Sequence, residues 1–280
     1  MSNKKWHTHP VIATGIAINV FVLVLALIWV DDSAKLWRLL IEDGIVEWMQ
    51  FLCFAVTSGL LAFVFMDRLK SRAPRTGAAR LELLVLGGLS ALVALAALEE
   101  ISWFQRVLDV KSPDFFAANN RQAETNIHNL ALGDGNLHKD VLLKIIFITG
   151  MAHNLILPIV ARFKPGVQRW IESVGVYLPP LSASIPYLVL VALSHLLVDH
   201  PRKGELGELF GAVHYMATVF AAYFVGVGYG RAPLFQNAPD ARRLSQLFAL
   251  LMAFLLLVGF LLSAGAGAGA AAAAGFGVPD

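Results

Sequence analysis

Long apolar runs recur along this chain, and each is close to the length that a helix needs to cross a bilayer. A spanning helix takes about 20 apolar residues, and in lipid only helices and closed barrels satisfy their backbone hydrogen bonds. The runs show no alternation of apolar and polar residues, which favours helices over a barrel. Seven helical spans are therefore predicted, over residues 11–30, 45–66, 81–99, 141–161, 176–198, 209–230 and 244–262.

Composition supports an integral membrane protein, because 57% of the residues are hydrophobic and only 15% are charged. A water-soluble fold of this size cannot bury that proportion, and a nucleic-acid partner is not expected. The single cysteine, Cys53, excludes an internal disulfide and a thiolate zinc site. We predict one all-α transmembrane domain over residues 1–262, in contact with membrane lipid. The Ala- and Gly-rich residues 263–280 are predicted to be a low-complexity tail without a packing face.

The basic residues favour one orientation of these spans. They concentrate at the N-terminus and in the segments 67–80, 162–169 and 231–243, which lie on the same side of a seven-span bundle. The positive-inside rule then places the N-terminus in the cytoplasm and the C-terminus outside. The long polar loop between the third and fourth spans, residues 103–140, is expected at the outer face, and its sequence leaves open whether it re-enters the membrane.

The first group of polar side chains closes the third span. Four residues share one helix face at 100° per residue: Glu99, Ser102, Trp103 and Arg106. Glu100 points away from that face. Two adjacent carboxylates near lipid need partners, so either Glu99 pairs with Arg106 or caps a neighbouring helix, or one of the two acids is a ligand or general base.

Two further polar groups are expected near the same face of the membrane. In the long loop, Glu124 and His128 have the i, i+4 spacing of a helix face, which suits metal ligation or a structural hydrogen bond. Near the end of the fifth span, His195 and Asp199 have the same spacing. His214 in the sixth span is predicted to lie at a depth comparable to that of His195.

Imidazoles and carboxylates at matched depth on different helices are the ligands of a bundle metal site when thiolates are absent. The hypothesis of a zinc or iron site assigns a role to each candidate. The predicted metal ligands are His128, His195, His214, Glu99 and Glu124. The predicted catalytic groups are Glu100 and Asp199 for proton transfer, and Ser102 as a nucleophile if a histidine reaches it. The predicted substrate-binding residues are Arg106, Arg121, Trp103, Gln122 and Asn126, with the arginines suited to an anionic head group.

Three functions follow from these groups and stay open at this stage. The first is a metal-dependent enzyme that acts on a lipid or isoprenoid at the outer face, with metal-bound water as the reactive group. The second is a transporter or ion-coupled carrier in which the same titratable groups relay protons or cations. The third is a non-catalytic accessory subunit that uses the polar loop as a docking surface.

The chain resembles a family of uncharacterised bacterial polytopic inner-membrane proteins in two motifs, EEISWFQR at 99–106 and NRQAETNIHN at 120–129. The resemblance implies a bacterial inner-membrane location and brings no activity with it. In the type of site, the chain is similar to the seven-span hydrolases of the alkaline ceramidase and adiponectin-receptor group, which would imply a three-histidine zinc, a serine and an aspartate. That group has a His-x-x-x-His pair in its last span, whereas the nearest equivalent here is His195-x-x-x-Asp199 in the fifth.

Overall fold

The computed structural model describes residues 9–71, 76–132, 135–137, 141–235 and 241–274, and within these ranges the chain is almost entirely helical. Two short strands pair antiparallel, β1 (Ala131–Leu132) and β2 (Gly135–Asn136). Two π-helical segments, Ala152–Ile156 and Phe220–Val225, each follow an α-helix without a break. The helices are α1 (Pro10–Ile28), α2 (Ser33–Leu40), α3 (Ile45–Lys70), α4 (Gly77–Glu100), α5 (Gln105–Leu108), α6 (Asp114–Asn119), α7 (Leu143–Met151), α8 (Leu157–Phe163), α9 (Pro165–Ser173), α10 (Leu181–Leu197), α11 (Gly204–Val219) and α12 (Ala241–Ala274).

Six helical stretches in the described ranges are long and apolar enough to cross a membrane, so the prediction of a multi-pass helical protein is confirmed in that form. The fifth predicted span, 176–198, is represented by the shorter α10, which has 17 residues. Pro179 and Pro180 delay its start, because proline cannot donate a backbone hydrogen bond. Seven spans and their orientation stay predictions. The six long stretches are Pro10–Ile28, Ser33–Lys70, Gly77–Glu100, Leu143–Phe163, Gly204–Val225 and Arg242–Gly265.

The stretch Gly204–Val225, formed by α11 and its π-helical continuation, is the central helix of the bundle. In its most apolar window 78% of the residues are buried, against 11–39% in the other five long stretches. It packs against α1, α3 and α10. Gly15 brings α1 especially close, since a Cβ added there would lie 2.9 Å from the Cβ of Ala217. Small residues at such a contact let helix backbones approach within a membrane.

The connections gather at two ends of the bundle. One end, called the acidic end below, consists of residues 29–50, 99–132 and 198–208. The other, called the opposite end, includes 164–180 and 226–235. There Arg231 donates to Glu82 at 2.5 Å, and the backbone N–H of Gly230 donates to Glu172 at 2.8 Å. Gly226, with φ of 85°, ends the central helix in the left-handed conformation that glycine adopts freely.

The long loop differs from its predicted helical form. The third span ends at Glu100, and Ser102, Trp103 and Phe104 follow with φ of 47°, 57° and 59°. Three successive left-handed residues without a glycine reverse the chain and fold the loop back over the acidic end. Residues 120–130 form turns, so the predicted helix face shared by Glu124 and His128 is wrong. The reason is that asparagine side chains bond the backbone here in place of helical hydrogen bonds.

The last helix also departs from expectation. α12 continues to Ala274, beyond the predicted end of the seventh span at 262. Alanine has the highest helix propensity, so a run of alanines extends a helix once it has begun. The division into a membrane domain to residue 262 and a low-complexity tail from 263 stays a prediction, and residues 275–280 lie outside the described chain.

Candidate functional site

Arg106 is the centre of a charged cluster at the acidic end. Its guanidinium donates to Asp43 at 2.9 Å, to Glu47 at 3.1 Å and to both oxygens of Glu124 at 2.7 and 2.8 Å. Burial by itself disfavours the charged form, but the three carboxylates outweigh it and raise the pKa of Arg106 above its ordinary value. We call this cluster, with Ser102 and Asn126, the Arg106 network.

Ser102 and Asn126 complete this network. Ser102 is 1% exposed, and its hydroxyl donates to Glu124 at 2.5 Å and accepts from the Asn126 amide at 2.9 Å. No histidine side chain contacts Ser102 in the described residues, so the condition set for its role as a nucleophile is not met. These hydrogen bonds hold Ser102 in its left-handed conformation, because a strained backbone conformation persists only where surrounding contacts fix it.

Glu99 fastens the other half of the loop. It accepts hydrogen bonds from the backbone N–H groups of Ile127 and His128 at 2.6 and 3.1 Å, and from the Trp103 indole at 2.8 Å. The His128 ring nitrogen Nδ1 lies 3.4 Å from the same carboxylate. Of the two structural alternatives offered by the sequence, pairing with Arg106 is wrong, and Glu99 instead binds backbone of the loop.

The other predicted substrate-binding residues lie on the same loop. The Gln122 amide donates to Glu42 at 2.5 Å, and the backbone N–H of Arg121 donates to Asn129 at 3.1 Å. Trp103 is 43% exposed. Arg106 and Asn126 are committed to the Arg106 network. The contact of Gln122 with Glu42 joins the loop to the bundle, whereas that of Arg121 with Asn129 lies within the loop, and a role in substrate binding stays a prediction.

Glu100 faces away from this loop, as the helical spacing predicts, and toward the central helix. Its carboxylate has no hydrogen-bond or ion-pair partner in the part of the chain that the structure describes. The charges that act on it most strongly are those of Glu208 and Glu205 on α11, and all three carboxylates repel one another. Gln50 of α3 lies beside them, because its amide donates to the Glu205 carbonyl at 2.9 Å. We call Glu100, Glu205 and Glu208 the acid group.

A second polar cluster lies inside the bundle, around His214 of the central helix. The His214 Nε2 atom lies 2.8 Å from Oδ1 of Asn154, which belongs to the first π-helical segment. The imidazole stacks on the Tyr187 ring with centroids 4.4 Å apart. Asn19 of α1 and Thr218 of α11 line a cavity of about 10 Å³ with His214. These five residues are called the His214 centre.

Polar contacts continue from the His214 centre toward the opposite end. The Thr218 hydroxyl donates to the His214 carbonyl and lies 2.8 Å from the Tyr177 hydroxyl. The Tyr177 ring contacts Tyr223 of the second π-helical segment, and the Tyr223 hydroxyl donates to the Gly175 carbonyl at 2.6 Å. Both π-helical segments thus lie on this line, and such segments are frequent at functional sites.

The five predicted metal ligands do not form one site. Among the described residues, no three His, Cys, Asp or Glu side chains are placed to hold a metal ion. Glu99 and His128 are adjacent, but Glu124 pairs with Arg106, and His195 is an exposed residue of α10 beside Gly207. His214 lies seven residues farther along α11, about 10 Å at 1.5 Å per residue, so the predicted matched depth of the two histidines is wrong. Metal binding stays a prediction without support from this arrangement.

Asp199, a predicted proton-transfer group, lies outside the helices of the bundle. Asp199 is exposed and follows the end of α10 at Leu197, so it shares no helix face with His195. The loop histidine His138 lies outside the described residues. His153 is part of the line of polar contacts, because its Nε2 atom donates to the Tyr177 carbonyl at 2.9 Å.

Several residues of these clusters were missed by the sequence reasoning. Asp43 and Glu47 complete the Arg106 network, and Asn19, Asn154 and Tyr187 form most of the His214 centre. A signal existed for the two asparagines, since each is an isolated amide within an apolar span, where polar groups are costly. No such signal marks Tyr187, because a tyrosine is common at the polar boundary of a span.

Comparison of the chain with protein-family models, curated proteins and solved structures finds no match.

Proposed function

We propose that this chain translocates protons or small cations across the bacterial inner membrane, with its N-terminus in the cytoplasm. The observation that carries the proposal is the His214 centre, in which the imidazole of the most buried helix contacts the Asn154 amide and shares a cavity with the Asn19 amide of α1. Polar groups are costly at this depth and mark ion or proton pathways in membrane proteins. A centre of this kind suits relay of an ion better than chemistry on a lipid.

The positions of the flanking groups support the same function. The acid group lies at the start of the central helix, and the Thr218, Tyr177 and Tyr223 contacts continue beyond His214. From Glu205 to Tyr223 the helix rises about 27 Å, close to the thickness of the hydrocarbon core. The line of polar side chains therefore has the length that a path across the membrane requires.

A metal-dependent lipid enzyme has weaker support from the geometry. Its proposed ligands are divided among the Glu99 contacts, the Arg106 network, an exposed position on α10 and the His214 centre. Ser102 is buried and bonded to a carboxylate. An accessory role would rest on the polar loop, whose side chains mostly bond the loop itself. Neither alternative accounts for polar side chains in the middle of the bundle.

Ion flux in proteoliposomes tests the proposal. The purified chain is reconstituted in vesicles that contain a pH-sensitive dye, and a potassium diffusion potential drives entry of protons. We expect the wild-type chain to acidify the vesicles and His214→Gln to reduce the rate to that of protein-free vesicles. His195→Gln is the matched control, because His195 is exposed on the neighbouring helix and lies outside the His214 centre.

Two outcomes would count against ion translocation. One is a wild-type rate equal to that of protein-free vesicles for protons, sodium and potassium alike. The other is an equal rate for the wild type and His214→Gln, which would show that His214 takes no part. Both variants must be reconstituted in equal amounts, as judged by protein recovered from the vesicles.

Orientation is tested separately by cysteine labelling. Asp114→Cys reports on the acidic end and Arg80→Cys on the start of α4 at the opposite end, and both native residues are exposed. The buried native Cys53 is not expected to react. In intact cells, an impermeant maleimide should label position 114 and spare position 80. The reverse pattern would place the N-terminus outside.

A further inference from the structure

The cavity of the His214 centre is lined by α1, α10 and α11 and has room for one water molecule. Its volume is about 10 Å³, close to the 10–15 Å³ that one water needs by this measure. Such a cavity holds water only if polar groups face it. Asn19, His214 and Thr218 supply those groups, and Ile12, Ile16 and Ala217 supply apolar walls.

Asn19 carries a hydrogen-bond acceptor that no residue of the described ranges satisfies. The residue is 2% exposed, and its amide nitrogen donates to the Phe210 carbonyl at 3.0 Å. Its Oδ1 atom is buried and has no partner among the described residues. Burying such an acceptor without a hydrogen bond costs about 1–3 kcal/mol, so a donor from water is strongly favoured.

His214 supplies a second acceptor. Asn154 donates from Nδ2 to the Gly150 carbonyl at 3.0 Å, so its Oδ1 atom faces His214 and can only accept. Neutral His214 therefore carries its proton on Nε2, and the lone pair of Nδ1 is available. The imidazole is buried, at 7% exposure, and its hydrogen-bond partner among the described residues is the Asn154 amide, not a carboxylate.

From these contacts we infer that one water molecule binds in the cavity and donates hydrogen bonds to Asn19 Oδ1 and His214 Nδ1. With this water in place, the ion that the His214 centre conducts is the proton. This inference rests on the proposed function for its transport part and on the cavity for its binding part. A proton that reaches the water passes to Nδ1 and forms an imidazolium. Return of that proton from Nδ1 to the water restores neutral His214, and passage is complete when the water, which received the proton from one end of the line of polar contacts, releases it to the other.

Sodium or potassium fits the centre poorly. Hard cations are surrounded by about six oxygen ligands. The side-chain oxygens that line the cavity in the described residues are those of Asn19, Thr218 and Tyr187, none of them charged. The Thr218 hydroxyl already donates to a carbonyl and contacts the Tyr177 hydroxyl. A cavity for one water leaves no room for a partly hydrated ion.

Nitrogen NMR of histidine in nanodiscs tests the binding part without any flux. The full chain is labelled with ¹⁵N-histidine, and His214→Gln assigns the signal. We expect a neutral imidazole with protonated Nε2 and a hydrogen-bonded Nδ1. Asn19→Leu has nearly the same shape but cannot bind water, so the Nδ1 signal should move toward the value of a free lone pair. A control, Asn129→Leu, changes an asparagine of the distant loop and should leave the signal unchanged.

Flux measurements test the transport part with the same variants. We expect Asn19→Leu to reduce proton entry to that of protein-free vesicles, and Asn19→Ser, which replaces the amide by a smaller polar hydroxyl and adds room for water, to keep most of it. Radioactive sodium should not enter in any variant. A free Nδ1 in the wild type would overturn the water site whatever the flux. If Nδ1 is hydrogen-bonded but the wild type shows no proton flux, the water site stands and the proposed transport function is rejected. If sodium enters in a way that depends on Asn19, the assignment of the proton as the transported ion is rejected.

Discussion

The Arg106 network and the His214 centre are both polar clusters in an apolar protein, yet they differ in how completely their groups are bonded. At the acidic end, Arg106 bonds three carboxylates, and Ser102 and Asn126 join the same network. In the bundle interior, Asn19 keeps an unpartnered acceptor beside a cavity. A saturated network holds a structure in one form, whereas an unsatisfied acceptor at a cavity is available to a small ligand.

Backbone strain separates the two regions in the same way. Among the described residues, every residue other than glycine with positive φ lies at the acidic end: Asp43, Ser102, Trp103, Phe104, Asp109 and Ala123. The His214 centre instead contains a π-helical segment, which is a small departure from regular helix. The backbone of the acidic end is therefore strained, and the hydrogen bonds of this end offset the strain. The motifs of the long loop are explained by their role in forming these hydrogen bonds.

Loss of Arg106 should cause the largest decrease in the free energy of unfolding, because it disrupts the fully bonded Arg106 network. Arg106→Ala leaves the buried carboxylates of Asp43, Glu47 and Glu124 without their cation. Removing one partner of a buried ion pair costs about 3–5 kcal/mol, because the remaining charge is left uncompensated. We expect a lower free energy of unfolding in detergent and faster proteolysis within the loop.

The stability measurement on Arg106→Ala has a matched control and an outcome that would contradict the prediction. Lys111→Ala removes an exposed basic residue of the same loop and should change the free energy of unfolding by less than about 0.5 kcal/mol. Equal stability of Arg106→Ala and Lys111→Ala would show that the Arg106 network does not hold the loop.

A substitution in the His214 centre should, by contrast, change the free energy of unfolding very little. Asn19→Leu removes an acceptor that has no partner among the described residues and fills the same space with an apolar side chain, and these gains offset the lost hydrogen bond to the Phe210 carbonyl, so the free energy of unfolding should stay within about 1 kcal/mol of wild type. The same variant is expected to abolish proton flux. Thermal unfolding in detergent measures the first quantity. A loss of stability as large as that of Arg106→Ala would make Asn19 a structural residue and remove the contrast between the two clusters.

Sequence reasoning recovered the helical, membrane-spanning class because about 20 consecutive apolar residues leave few other structures. It also predicted that Glu99 and Glu100 face different surroundings, since that follows from 100° per residue. It failed where partners come from distant segments. Nothing local to Arg106 indicates Asp43 or Glu47, and nothing local to His214 indicates Asn154. The left-handed turn at Ser102 could not be predicted either, because its sequence contains no glycine.

A smaller effect is expected from relieving strain at the acidic end. Asp109 has φ of 50° at the end of α5 and is exposed. Glycine adopts this conformation without strain, although it loses more entropy on folding, so Asp109→Gly should raise the free energy of unfolding by about 0.5 kcal/mol. Asp114→Gly is the control and should lower it, because Asp114 is the first residue of α6. A decrease for both variants would mean that the turn at Asp109 carries no strain.

The smallest expected effect is a pH dependence at the acidic end. Partial burial, and then the charge of Arg202, lower the pKa of His200, and its Nδ1 atom accepts from the Arg202 backbone N–H at 3.2 Å. A histidine with a lower pKa in the folded state stabilises fully above its unfolded pKa of about 6.5, and this contribution is lost as the pH falls. His200→Asn keeps an acceptor oxygen but does not titrate. The free energy of unfolding should therefore fall more steeply below about pH 6.5 in wild type than in the variant. Carboxylates titrate in both proteins and cancel from the difference, so identical curves would show that His200 is equally easy to protonate in the folded and unfolded chain.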